Sequence, residues 1–201
     1  MTAADRPASA PAVAPTPGVR VWDPFVRLFH WSVVAGVVLN YAVLEEGKPA
    51  HRYIGYGVAA LLGLRLVWGF VGSRHARFAD FVAGPRTVFG HLRAALSGRD
   101  RRYIGHNPAG GAMILVLMAL IGLIAVSGWM QGLDAFWGEE WVQDLHAIAA
   151  NVLVGFAVLH VAAALIEGLR HRESLVLAMI TGRKRPASGT DVDHAPAPRR
   201  G

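Results

Sequence analysis

Long apolar blocks alternate with polar connections along this chain. Four blocks, Leu28–Leu44, Tyr53–Val71, Ala109–Met130 and Leu145–Ile166, approach membrane-spanning length. At about 1.5 Å per residue, a helix needs on the order of 20 apolar residues to cross a hydrocarbon core of roughly 30 Å. The first block is the shortest, and its flanks extend it at both ends. Start signals agree with this division. Asp23 and Asn107 stand as N-caps directly before Pro24 and Pro108, and Lys48-Pro49 opens the second span. Between the second and third spans, Pro85–Leu96 carries Val88, Phe89, Leu92, Ala95 and Leu96 on one side, with Arg86 and Arg93 elsewhere and Gly98 just beyond. That pattern predicts a short amphipathic helix lying on an anionic membrane surface. Ser174–Ile180, closed by Gly182, predicts a second surface helix. The expected fold is all-α: an integral membrane four-helix bundle over residues 20–183, with tails at 1–19 and 184–201 expected to be disordered. The first 19 residues hold no apolar core of the kind a secretory signal needs.

Composition and charge narrow the classes. The chain is 53% hydrophobic and 17% charged, against about 25% charged in an ordinary soluble domain. Its net charge of +6 would suit a nucleic-acid binder, but the distribution argues against one. Arg and Lys gather before the first span, between the second and third, and after the fourth. The other two connections are acidic: Glu45 and Glu46 in one, Asp134, Glu139, Glu140 and Asp144 in the other. This is the positive-inside pattern, and it predicts a multi-pass membrane protein with both termini cytoplasmic. No cysteine is present, which excludes disulfides, thiolate-held clusters and covalently attached c-type haem.

Histidine supplies the candidate chemistry. His146 and His160 lie fourteen residues apart in the fourth span, close to four helical turns, so both rings leave one face about 21 Å apart along the axis. Polar residues inside a membrane are expensive and mark functional sites. With the first span running outward and the second and fourth returning, only two level pairs exist: His51 with His146 on the outer side, and His30 with His160 on the inner side. Each pair supplies two ligands and no carboxylate, which is too few for zinc and suits the two axial positions of a porphyrin iron. Arg52, beside His51, and Arg65, fourteen residues further along the same helix, are candidate partners for haem carboxylates; the alternative for each is to snorkel to headgroups. His75, His91, His106, His171 and His194 fall in connections or tails and read as solvated. The third span has no histidine, and its methionines read as packing; Gly110, Gly111, Gly122 and Gly128 allow close approach of a neighbour or a flat cofactor. A competing class is a small non-redox transporter whose histidines carry protons, though neither internal repeats nor broken helices are visible.

The stretches VWDPFVRLFHW, HRYIGYGVAALLGLRLVWGFVGSRHARFADF, GHNPAGG and LHAIAANVLVGFAVLH resemble bacterial cytochrome b561-type membrane proteins, the superfamily that includes the b-type cytochrome subunit of nickel–iron hydrogenases. The resemblance covers roughly Val21–Lys184. It implies two non-covalent b-type haems, an inner one held by His30 and His160 and an outer one held by His51 and His146. It also implies electron transfer between a quinone pool and a periplasmic or membrane redox partner. That partner would be a soluble c-type cytochrome or a larger oxidoreductase that the chain anchors; a homodimer is compatible with the same reading.

Overall fold

The computed structural model describes residues 18–193; the outer parts of both expected tails, 1–17 and 194–201, lie outside the described residues. In chain order the elements are β1 (Val19–Arg20), α1 (Pro24–Ala42), α2 (Pro49–Val71), α3 (Phe78–Phe81), α4 (Pro85–Leu96), α5 (Pro108–Met130), α6 (Glu140–Arg170), α7 (Leu175–Thr181) and β2 (Arg183–Lys184). Single turns of 3-10 helix occupy Arg74–Ala76 and Asp134–Phe136. α1, α2, α5 and α6 are the four helices long and apolar enough to cross a membrane, and α4 matches its expected bounds.

The caps anticipated from sequence set the helix starts. Asp23 Oδ1 accepts from the Val26 amide at 2.8 Å, and Asn107 Oδ1 from the Gly110 amide at 2.7 Å. α6 is longer than its apolar block, running a turn or more past it at each end, because a helix needs only its own hydrogen bonds to continue into a polar region.

Within the bundle α5 packs along α6, α1 along α2, and α2 against α5. Val33, Leu62, Met118, Ile121 and Leu153 form the central core. Gly36 lets α1 and α2 approach: a Cβ there would sit 2.6 Å from Val58. Leu64, Val67, Phe70, Val158 and Leu165 face outward, an apolar surface far beyond what a soluble monomer exposes and the expected girdle of a membrane bundle.

The two ends of the bundle differ. One end, where α1 and α5 begin and α2 and α6 finish, is closed by a plug. β1 pairs antiparallel with β2, Val19 opposite Lys184 and Arg20 opposite Arg183. Val21, Trp22, Ile104 and Ala178 make a second small core there. Arg102 is buried at its centre, paired with Glu173 at 2.8 Å and with Asp191. The Val192 amide donates to Arg102 O, and the Ile104 amide to Val192 O. Residues 184–193, which the sequence places in the expected tail, thus form long-range contacts at this end. Their composition is tail-like, but long-range bonds to Arg102 and to residues 103–104 dock them. The other end carries the α1–α2 connection, the turn at Asp134–Phe136 and an exposed rim including Trp137 and Trp141. The two are called the capped end and the open end below.

Candidate haem sites

α1 brings His30 into the bundle six residues after its first residue, and α6 brings His160 to the same level. Their ring centroids are 6.5 Å apart with planes at 53°. At the open end His51, in the first turn of α2, meets His146 of α6, with centroids 6.1 Å apart and planes at 57°. Both pairs anticipated from sequence are thus brought together, and no other pairing of these four rings is close. Two metal–imidazole bonds of about 2 Å each, set end to end, with the offset of each ring centre from its nitrogen added, separate two centroids by roughly 6 Å. The residues therefore fit two ligands on opposite faces of one metal at each level.

The surroundings of the rings fit as well. Ser127, fully buried on α5, donates its hydroxyl to Leu123 O at 2.8 Å and lies 3.2 Å from His146 Nδ1. This arrangement takes up Nδ1 and leaves Nε2 for a ligand bond, the orienting contact that metal-bound histidines habitually have. Ser127 was missed from sequence, although it is the one hydroxyl in an otherwise apolar span. Gly128 lies against the same ring: a Cβ there would come within 3.0 Å of it. Asn40 Nδ2 donates to the backbone carbonyl of His51 at 3.0 Å. His30 Nδ1 and His51 Nδ1 are enclosed with no hydrogen-bond partner. A buried polar nitrogen left in that state costs on the order of 1–3 kcal/mol, so both sites contain unmet polar capacity.

The two arginines go to different fates. Arg52 is exposed at the open end and reaches the end of α5, its Nη2 lying 3.2 Å from where a Cβ on Gly132 would stand. Arg65 does not snorkel. It is 3% exposed, donates through Nη2 to Ala76 O at 2.9 Å, and lies 5.5 Å over the Phe78 ring. The short α3 folds Phe78 and Phe81 across the end of α2, because Gly69 leaves room for the Phe78 ring, and this roof shuts Arg65 in. Arg65 Nη1 has no partner.

Four of the remaining histidines are not the solvated residues expected. His75 is buried and 3.0 Å from Asp80, and His91 is buried edge-on to Tyr103. His171 bonds Asp100 at 3.3 Å and Glu167 at 3.4 Å. These three could hold a metal ion, but Arg170 already brings a positive charge to within 3.5 Å of Asp100. His106 stacks between Trp22 at 4.4 Å and Phe81 at 5.1 Å, its Nδ1 unpartnered; burial pushes its pKa down to about 3. Each of these rings is covered by tertiary contacts of the capped end, which no local pattern announces. His194 lies outside the described residues.

Comparison with known proteins agrees with this geometry. The family description of prokaryotic cytochrome b561 matches residues 21–182. Similar chains include three named as probable Ni/Fe-hydrogenase B-type cytochrome subunits. That of Bradyrhizobium diazoefficiens is 28% identical, over 84% of this chain and 86% of its own. That of Rhodobacter capsulatus is 27% identical, over 83% and 81%, and that of Cupriavidus necator 30%, over 81% and 85%. No solved structure matches. Four apolar spans, histidines meeting at two levels, and a match over most of the chain lead to one conclusion: the protein belongs to the prokaryotic cytochrome b561 family.

Proposed function

We propose that the protein moves electrons across the bacterial inner membrane through two b-type haems, each held between two imidazoles. The observation that carries this reading is the pair of ring separations, 6.5 Å and 6.1 Å, at two depths on one shared helix. Haem supplies one-electron iron chemistry when bound. The chain's own residues do the rest. His30 with His160, and His51 with His146, would hold one haem each between two imidazoles, an arrangement that suits electron transfer rather than oxygen binding. α6 fixes the distance between the two levels, because His146 and His160 share one rigid element. Ser127 orients His146, and Arg52 and Arg65 are placed to meet haem carboxylates at the open and capped ends.

With both termini cytoplasmic, the capped end faces the cytoplasm and the open end the periplasm. The donor and acceptor are a quinone pool and a periplasmic or membrane partner. The relatives' names support one further reading, that the chain anchors a larger oxidoreductase and takes its electrons from a partner subunit. Haem quantification with reduced-minus-oxidised spectra on the four His→Ala variants tests the proposal. We expect His51→Ala and His146→Ala to remove the same haem, and His30→Ala and His160→Ala to remove the other. Haem-free wild type, or four variants with full haem content, would overturn it. Co-purification of a stoichiometric partner from native membranes distinguishes the anchor from an independent carrier.

A further inference from the structure

The capped end encloses two buried cations on which carboxylates act only through space, Asp23 on Arg65 and Glu173, Glu167 and Asp191 on Lys184. Arg65 and Lys184 are 3% and 6% exposed, and neither makes an ion pair among the described residues. Lys184 Nζ donates to the carbonyls of Tyr103 and Gly105, both at 3.2 Å, and lies 5.5 Å over the Trp22 ring. These are dipoles and a ring face, not charges. Arg65 bonds one carbonyl and leaves Nη1 free. Asp23, a carboxylate of the same end, is already engaged by the Val26 amide, Trp68 and Ser73. Between the cations sits His106, also with an unpartnered nitrogen. His106 lies within electrostatic reach of Lys184, Arg65, His75 and His160, so the group adjoins the His30–His160 pair.

Buried charge that is compensated only through space is costly, and an anion in direct contact relieves that cost. Phe78, Phe81 and Trp22 lie against the group, and His160 lies within electrostatic reach of its His106. The anion would come from what the His30–His160 pair holds. A haem carries two carboxylates on one edge, and the two cations match them in number.

We infer that Arg65, Lys184 and His106 form the carboxylate-binding cradle of the capped-end haem, the two cations pairing with its propionates and His106 hydrogen-bonding one of them. This rests on the bis-histidine reading and adds to it. Lys184 belongs to β2, so the strand pairing of the two chain ends is what delivers the second cation. Burial pushes Lys184 down to about 8 although Glu173, Glu167 and Asp191 act through space to raise it, and a carboxylate in direct contact would oppose that shift further.

The test uses full-length protein in a His51→Ala background, where only the capped-end haem remains. Lys184→Gln, Lys184→Arg and His106→Leu are compared by haem affinity, redox titration and the resonance Raman propionate-bending band. We expect Lys184→Gln and His106→Leu to weaken haem binding on the order of ten-fold, shift the propionate band, and lower the potential for Lys184→Gln. Lys184→Arg should restore all three. Should Lys184→Gln fail to fold, His106→Leu still decides through the band. An unchanged band and affinity in a variant that keeps its haem would overturn the cradle while leaving the histidine ligands standing. A His51→Ala parent without any haem would instead overturn the ligand reading.

Discussion

The two ends of the bundle hold their histidine pairs at nearly the same separation, yet little else about them is alike. At the capped end the pair lies beneath aromatic rings, buried cations and a two-stranded tie between distant parts of the chain. At the open end it lies near an exposed arginine, a serine on α5 and a rim that bears Trp137 at 79% exposure. The separation of the histidines alone would make the two proposed haem sites equivalent. Their surroundings make them different, because burial and nearby charge are the levers by which a protein sets a haem's potential. Positive charge close by favours the reduced, less positive iron, so the capped-end site should accept electrons from the open-end one.

The most drastic way to break the comparison is to delete one ligand. His160→Ala should abolish the capped-end haem and His146→Ala the open-end haem, each leaving the other. In a redox titration the step lost with His160→Ala should be the one at higher potential; loss of the lower step would reverse the proposed direction.

Next in size is the ion-pair core of the plug. Arg102→Leu leaves Glu173 and Asp191 without their cation and should cost about 3–5 kcal/mol locally. Hydrogen exchange is expected to rise over 99–106 and 183–193 and stay unchanged at the open end. Uniform exchange across the bundle would show that the plug is not a separate unit.

A smaller effect sharpens the open end. Ser127→Ala removes the acceptor at His146 Nδ1 and should weaken haem retention there by roughly ten-fold. The capped-end haem should be retained as in wild type, and equal loss from both sites would remove Ser127 from its orienting role.

The smallest effect is that of acid. Burial raises Glu173, but the hydrogen bond and charge of Arg102 outweigh it and hold its pKa below the usual 4.5. Burial likewise raises Asp191, and its bonds from Ser188 and Arg102 hold it below 3.8. A carboxylate with a depressed folded pKa contributes its stability above the unfolded value and loses it as pH falls through the folded one. Docking of 184–193 should therefore weaken as pH drops below about 4, read by proteolysis of that segment, and Arg102→Leu should erase the dependence.

The sequence made the spans, α4 and the histidine pairs legible because each depends on local periodicity or on fixed spacing along one helix. Pro85 and Gly98 bracket α4, and fourteen residues between His146 and His160 is a helical repeat whatever surrounds it. The plug was hidden because its contacts join residues far apart: 19 with 184, 102 with 191, 104 with 192. Two-residue strands carry no alternation to detect, and a run such as Arg183–Lys184–Arg185 looks like any solvated basic tail. The same blindness explains His75, His91 and His106, whose covering contacts come from Asp80, from Tyr103, and from Trp22 and Phe81. The burial of Arg65 was hidden for a related reason, since the roof over it, α3, is four residues long.

The tie between β1 and β2 also bears on biosynthesis. Every membrane span of this protein leaves the ribosome before Lys184 does, so a nascent chain can be fully inserted while one of its two ends is still unlatched. Maturation should then run in a fixed order, with the site far from the termini ready first. Chains stalled just short of Arg183 should retain haem at that site and fail to hold it at the other.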